Sequence, residues 1–325
     1  MSFRISPSPA PTVELPSLMS AVVANGAHAT LASRPLPTPA AGEVLLRVAL
    51  AGVCRTDIAA ASGLLGVPQG RVLGHEFAGI VVSKHETLPL GTRVAVNPVL
   101  PCGACPACRA RPSRLCAQPN YLGLQRDGAF ATFVSVPSST LLPIPDTLPW
   151  RHAAYLEPVA ASAAVLQAHI HPRQTGLIYG DNRIAGLTQR ILAAHGFERI
   201  HILGTGDTEL PADAFDFAVE TCPQPDLLAR LLHAVRPEGT IVLKSRADRN
   251  LDLPLALAVR RRIVLEPVFY GCFTSALELL CDNRLDLNDL LGEALPIEAF
   301  RDAFERAESR KTFLVPDPEF PLHPL

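Results

Sequence analysis

Four cysteines, Cys102, Cys105, Cys108 and Cys116, fall within the stretch PCGACPACRARPSRLC at the spacing C-x2-C-x2-C-x7-C. Thiolates this close in sequence can wrap one cation tetrahedrally, and closed all-cysteine sets are common holders of structural zinc. Two disulfides in a secreted loop, or an iron–sulfur cluster, would use the same residues. The first 18 residues, MSFRISPSPAPTVELPSL, lack the apolar run of an export signal, which favours reduced thiols and hence a metal.

A second set is dispersed. Cys54 lies in AGVCRTD, His75 and Glu76 in LGHEFAG, and Glu157 in YLEPVA. Cysteine, imidazole and carboxylate all ligate zinc, and a catalytic zinc takes three protein ligands and keeps a fourth position open. Each residue alone has an ordinary reading: a core thiol, a satisfied polar pair, an acid at a helix start. The conjunction is what points to a metal.

These residues need elements to carry them. From about Met19 to Pro149, short apolar runs such as EVLLRVALAGV, FAGIVVS, TRVAVNPV and FATFVSV are broken by Gly and Pro, the pattern of a β-rich, barrel-like domain. After AASAAVLQA, which reads as helix, strands such as GLIYG, RIHILG, DFAVE and TIVLKS alternate with helical segments such as RIAGLTQRILAAHG and DLLARLLHAVRPEG. That alternation predicts a parallel, doubly wound sheet. Cys222, Cys272 and Cys281 have no second metal spacing and read as core thiols. The chain is therefore expected to be α/β, with a flexible Pro- and Ser-rich leader over 1–18, a β-rich domain from 19–155 and 268–325, and a doubly wound domain over 156–267.

Charge narrows the function classes. Lys and Arg number 29 against 31 Asp and Glu, a net charge of −2, and Arg260–Arg262 is the one basic cluster of note. That excludes a nucleic-acid footprint. The apolar stretch from Ala153 to Ile170 is interrupted by Glu157-Pro158, so no membrane span is expected. The expected location is the cytoplasm.

GVCRTD, GHEFAG, the four-cysteine lobe and LEP, in this order, resemble the zinc-containing medium-chain dehydrogenase/reductase superfamily, the group of alcohol, sorbitol and threonine dehydrogenases. The resemblance covers about Met19 to Val315. It implies a GroES-like catalytic domain with a zinc lobe at 101–117, a Rossmann nucleotide-binding domain, and an active site in the cleft between them. It implies two Zn2+ per chain. Cys54, His75 and Glu157 match the catalytic ligands, Glu76 an alternative ligand, and Cys102, Cys105, Cys108 and Cys116 the structural ligands. Thr56 matches the hydroxyl that passes the alcohol proton, Asp57 the carboxylate that orients the histidine ligand, and Arg55 a position that contacts cofactor diphosphate. The implied reaction is hydride transfer with NAD(P) between an alcohol and a ketone or aldehyde, on a small-molecule substrate, in a homodimer or homotetramer. Where family members carry a relay histidine soon after the threonine, this chain has Ile58, Ala59 and Ala60. Leu64, Leu65, Val99, Tyr121 and Phe273, placed at the substrate pocket by the same resemblance, are mostly apolar and favour a modest secondary alcohol or hydrophobic aldehyde.

The cofactor half departs from the pattern. A dinucleotide turn reads G-x-G-x-x-G or A, whereas this chain reads Gly180-Asp181-Asn182-Arg183-Ile184-Ala185. Asn182 stands where the middle glycine lets the diphosphate approach, and Arg183 offers a compensating charge. Gly180, Asn182, Arg183, Ile184 and Ala185, with Thr205 after the second strand, are the candidate cofactor residues. That strand ends Leu203-Gly204-Thr205-Gly206-Asp207, without an acid at its tip, and only TGDTELPADA precedes the next strand, so the domain reads as shortened by about one helix. Two alternatives follow: a cofactor-free zinc enzyme of lyase, hydratase or isomerase type on a dehydrogenase scaffold, and a non-catalytic zinc-stabilised binding protein.

Overall fold

Strand parity organises both halves of the chain. In the computed structural model, which describes residues 15–110, 116–207, 209–246, 250–307 and 310–322, Val44, Leu46 and Val48 alternate along one strand into a single apolar core with Val22, Phe77, Phe130 and Leu314. Residues 1–14 of the expected leader and 111–115 of the expected zinc lobe lie outside the described residues. The first strand begins at Leu18, one residue inside the span assigned to the leader.

Two compact units emerge, residues up to Glu157 together with Asn288 onward, and Pro158–Leu287. The first carries β1 (Leu18–Asn25), β2 (His28–Pro35), β3 (Glu43–Gly52), α1 (Arg55–Ala61), β4 (Glu76–Val81), β5 (Arg93–Val96), β6 (Val99–Leu100), α2 (Pro106–Ala110), β7 (Asn120–Tyr121), β8 (Phe133–Pro137), β9 (Leu141–Pro143) and α3 (Trp150–Ala154). Helix α4 (Leu156–Ala163) crosses the boundary. The second unit carries β10 (Gly176–Tyr179), α5 (Arg183–Ala194), β11 (Ile200–Leu203), β12 (Phe215–Glu220), α6 (Leu227–Ala234), β13 (Val235–Leu243), α7 (Leu255–Arg261), β14 (Val264–Pro267) and α8 (Phe273–Cys281). The chain then returns to the first unit with β15 (Leu291–Pro296), α9 (Phe300–Arg306) and β16 (Lys311–Val315). The return comes at 288 and not at the expected 268, because α8 packs its Phe273, Ala276, Leu277 and Leu280 inward and stays with the second unit.

The first unit is built on a seven-stranded sheet of order β15-β16-β3-β4-β5-β9, with β8 also paired to β3. Register matters here: Gly52 at the end of β3 lies opposite Glu76 at the start of β4, and opposite Phe313 of β16 on its other side. The end of β3 and the start of β4 thus meet beside the middle of β16.

The second unit has a five-stranded sheet of order β11-β10-β12-β13-β14, parallel throughout. Leu177 and Tyr179 of β10 pack with Leu227, Leu231 and Ala258, while the intervening Ile178 packs with Ala185, Leu192 and Val219 in a separate cluster. Helices cover both faces, as a parallel sheet requires. No helix joins β11 to β12 among the described residues, so β11 is a sheet edge with Ile202 exposed. Strand β13 starts at Val235, earlier than the expected TIVLKS, because RPEG continues the strand with Glu238 at φ 66° and not the helix before it.

The expectation that Cys222, Cys272 and Cys281 are core thiols is not met: Cys272 is exposed and the other two are half-buried. Cys272 sits at the N-cap of α8, where backbone N–H groups, that of Ser275 foremost, hold its thiol below the ordinary value.

Candidate metal centre

Cys54 is the N-cap residue of α1, two positions past the end of β3. Its backbone N–H donates to Oδ2 of Asp57 at 2.9 Å, in the first turn of that helix. The other oxygen of Asp57 accepts the Gly74 N–H at 3.2 Å and meets Nδ1 of His75 at 3.0 Å. One fully buried carboxylate therefore ties the loop carrying the cysteine to the loop carrying the histidine. With Nδ1 engaged, Nε2 of His75 is the ring nitrogen left for a ligand, the arrangement that orienting carboxylates give metal-binding histidines.

The ligand atoms of Cys54, His75 and Glu76 lie within 4.8 Å of one another. Glu76 is buried, and Lys311 at the start of β16, itself buried, pairs with its Oε2 and donates to the Val53 carbonyl at 2.7 Å. Burial raises the Glu76 carboxyl; Lys311 and His75 pull it down and Glu157 pushes it up, with a net upward shift. His75 is pulled down by burial, but the facing Asp57 and Cys54 outweigh that and hold it well above the ordinary imidazole value. Gly52 makes room for the group: a Cβ there would stand 2.6 Å from Lys311 Cε and 2.8 Å from Glu76 Oε2.

This donor set fits zinc. It combines a thiol, an imidazole nitrogen and a carboxylate, the types a catalytic zinc takes. It also concentrates negative charge where water cannot screen it, and draws in a lysine and an imidazole proton to balance it. Glu157, buried in the first turn of α4, is not among the atoms within 4.8 Å, though its charge reaches Glu76. Thr56 is half-buried and Arg55 exposed in the first turn of α1. Lys311 and Gly52 were not singled out from the sequence. The available signal was a lysine heading the apolar run TFLV.

The sulfurs of Cys102, Cys105, Cys108 and Cys116 also lie within 4.8 Å of one another. All eight cysteines of the chain are free. Backbone N–H groups of Cys102 and Cys105 donate to the sulfurs of Cys116 and Cys102 at 3.2 and 3.4 Å. Such donors favour thiolate. Those of Ala117 and Cys108 bring the Cys105 thiol down to about 6, while desolvation and its neighbouring thiols push Cys108 up to about 12. Four sulfurs this close together form a set that a tetrahedral cation satisfies.

In the second unit the structure brings Gly180, Asn182, Arg183, Ile184 and Ala185 together at the turn from β10 into α5. Thr205, just after β11, donates through Oγ1 to Asp181 at 3.2 Å. Gly180 has φ 135°, open to glycine but strained for other residues, and its missing Cβ leaves room beside Thr221 Oγ1. A glycine at a strand–helix turn on a parallel sheet is the cradle of a dinucleotide diphosphate, and these residues fit one once the Asn182 side chain moves aside.

Residues 40–146 match the family model described as the alcohol dehydrogenase GroES-like domain. Sorbitol dehydrogenase of Bacillus subtilis is 26% identical over 333 residues, covering 90% of this chain and 94% of that protein. Starvation-sensing protein RspB of Escherichia coli is 36% identical over 164 residues, which span about half of each, 49% of this chain and 48% of RspB. Among solved structures, a putative zinc-binding dehydrogenase from Sinorhizobium meliloti, bound to NADP, superposes with a TM-score of 0.84 at 22% identity, covering 93% of this chain and all of that one. No helix among the described residues is long and apolar enough to cross a membrane. Residues 40–146 thus belong to the alcohol dehydrogenase GroES-like domain family, and the chain as a whole is similar to the zinc-containing medium-chain dehydrogenases/reductases.

Proposed function

We propose that this protein is a zinc-dependent oxidoreductase that interconverts an alcohol and a ketone or aldehyde by hydride transfer with NAD(P). The observation that carries the reading is the buried triangle of Cys54, His75 and Glu76, with Asp57 behind the histidine and Lys311 behind the glutamate. Cys54, His75 and a carboxylate from Glu76 or Glu157 would hold the catalytic zinc. Cys102, Cys105, Cys108 and Cys116 would hold a structural one. Bound there, zinc would supply a Lewis acid for the substrate oxygen, and NAD(P) would supply the hydride chemistry.

The residues around the centre divide the remaining work. Asp57 fixes the tautomer of His75 by holding Nδ1, so that Nε2 stays available. Lys311 keeps Glu76 from swinging freely, because its ammonium is itself anchored on the Val53 carbonyl. Thr56, two residues after Cys54, carries a hydroxyl whose Oγ1 would accept the alcohol proton and pass it on. Ile58, Ala59 and Ala60, which follow, offer no imidazole to continue that path, so the proton would pass from Thr56 to water. Arg183, in the first turn of α5, would be the cation facing the cofactor diphosphate. Free thiols throughout agree with a reducing cytoplasm, and the superfamily suggests a homodimer or homotetramer.

Substrate class is best approached from the relatives, whose names include sorbitol, threonine and galactonate dehydrogenases. A hydroxylated substrate is therefore tested beside simple secondary alcohols. One observation favours a second reading, the cofactor-free zinc enzyme: the Asn182 side chain occupies the turn where a diphosphate would sit. Incubation of the zinc-loaded protein with NAD+ or NADP+ and a panel of polyols, hydroxy acids and secondary alcohols tests the choice. Formation of reduced nicotinamide by the wild-type chain, and none by His75→Ala, is expected. No reduction of either nucleotide with any alcohol, at full zinc content, would favour the cofactor-free reading.

A further inference from the structure

The first turn of a helix presents N–H groups that no residue of the helix itself can accept. In dinucleotide-binding folds these groups take the diphosphate, and a glycine at the middle of the turn lets the anion come close. In α5 two of them are already taken. Oδ1 of Asn182 accepts the N–H of Ile184 at 2.9 Å and that of Ala185 at 3.0 Å. At its other end, Nδ2 of the same side chain donates to the Thr221 carbonyl at 3.1 Å and to Thr221 Oγ1 at 3.2 Å.

The amide orientation follows from these partners. The N–H groups need an acceptor and the carbonyl needs a donor, so a flipped amide would lose its bonds at both ends. Thr221 is held in turn, since its hydroxyl donates to the Tyr179 carbonyl at 2.9 Å. The space is filled as well as the hydrogen bonds: a Cβ on Gly180 would stand 3.0 Å from Asn182 Nδ2 and 2.3 Å from Thr221 Oγ1. In the same turn, Nη1 of Arg183 is enclosed without a hydrogen-bond partner among the described residues, a donor that a phosphate oxygen could satisfy.

We propose that Asn182 is a built-in stopper of the dinucleotide site, and that the nucleotide diphosphate binds only when this side chain surrenders the amides of Ile184 and Ala185. Asn182 therefore sets nucleotide affinity in this chain. The inference rests on the dinucleotide reading given above.

The test is a titration of the full-length, zinc-loaded protein with NADH, followed by nicotinamide fluorescence, for the wild type, Asn182→Gly and Asn182→Asp. Glycine is tolerated at an N-cap, so Asn182→Gly keeps the helix while freeing the amides. It is expected to tighten NADH binding by about tenfold, the effect of no longer breaking one to two net hydrogen bonds. Asn182→Asp retains the acceptors and adds a negative charge, so it is expected to bind NADH more weakly than the wild type. A residue that merely shaped the turn would give the opposite sign, with Asn182→Gly weaker. Equal or weaker binding by Asn182→Gly overturns the stopper and leaves the dinucleotide reading standing. Absence of binding by both wild type and Asn182→Gly up to millimolar NADH and NADPH, with zinc retained, overturns both.

Discussion

Lys311 and Glu76 meet across Gly52. The lysine opens the last strand of the first unit, the glutamate opens β4, and the glycine between them closes β3. Neither charge has access to water, and each has the other as its counterion. Removing one partner of such a pair leaves a buried charge uncompensated, at about 3–5 kcal/mol. Lys311→Met is expected to destabilise the zinc-free protein by about that amount, and Glu76→Gln in the same chain to restore much of it. Urea unfolding of the two single variants, the double variant and the wild type gives the coupling directly. A coupling below about 0.5 kcal/mol would show that the pair is not a unit.

The four-cysteine lobe answers to a different test. Cys105 receives backbone N–H donors and shares its surroundings with three other sulfurs. Cys105→Ser is expected to lose one zinc per chain, to melt at lower temperature and to aggregate on chelation, because lobe folding and metal binding are coupled. The Cys54, His75 and Glu76 cluster keeps its metal in that variant. Retention of both metals by Cys105→Ser would contradict the assignment.

Acid sensitivity has an identifiable contributor away from the metals. Burial tends to raise the Glu43 carboxyl, but hydrogen bonds from Arg126, Ser135 and the Ala40 N–H outweigh it and leave it below the ordinary value. A carboxyl with a lowered folded pKa contributes stability that is present above its unfolded pKa and fades as pH falls through the folded one. Glu43→Gln is therefore expected to be less stable than the wild type at neutral pH, with the gap narrowing below about pH 4. Melting temperatures of both proteins across pH 3 to 7 measure it. A gap that stays constant over that range would remove Glu43 from the account of acid stability.

The tip of β11 suggests a nucleotide preference. Asp207 Oδ2 accepts the Gly204 N–H at 2.7 Å, and Asp181 takes the Thr205 hydroxyl, so two carboxylates border the loop. Arg230, the nearby cation, is spent on the Tyr179 hydroxyl at 2.9 Å and on the Asp207 carbonyl. A ribose diol suits this neighbourhood better than a 2′-phosphate. NADH is expected to bind about tenfold more tightly than NADPH. Tighter NADPH binding would mean that Arg230 is released to the phosphate.

Short spacing made the four-cysteine set legible in the sequence, whereas Cys54, His75 and Glu76 are dispersed and were legible only by ligand type and by the resemblance of their motifs. Partners supplied by strand pairing were not legible. Lys311 reaches Glu76 only because β16 pairs with β3, a long-range choice that no local pattern encodes. The return to the first unit at 288 was similarly hidden, since α8 is amphipathic on either side of any boundary. Asn182 was recognisable as a departure from glycine. Its behaviour as a cap that uses both ends of its amide depends on Thr221, which β12 brings alongside β10.

The most direct test is to measure zinc content and nicotinamide-linked turnover on one preparation of Cys54→Ala beside the wild type. Expected are two zinc ions per wild-type chain, matching the two clusters, and one in the variant, which stays folded and forms no reduced nicotinamide. Wild-type turnover by Cys54→Ala, or two zinc ions retained in it, would contradict a catalytic zinc held by Cys54 and His75.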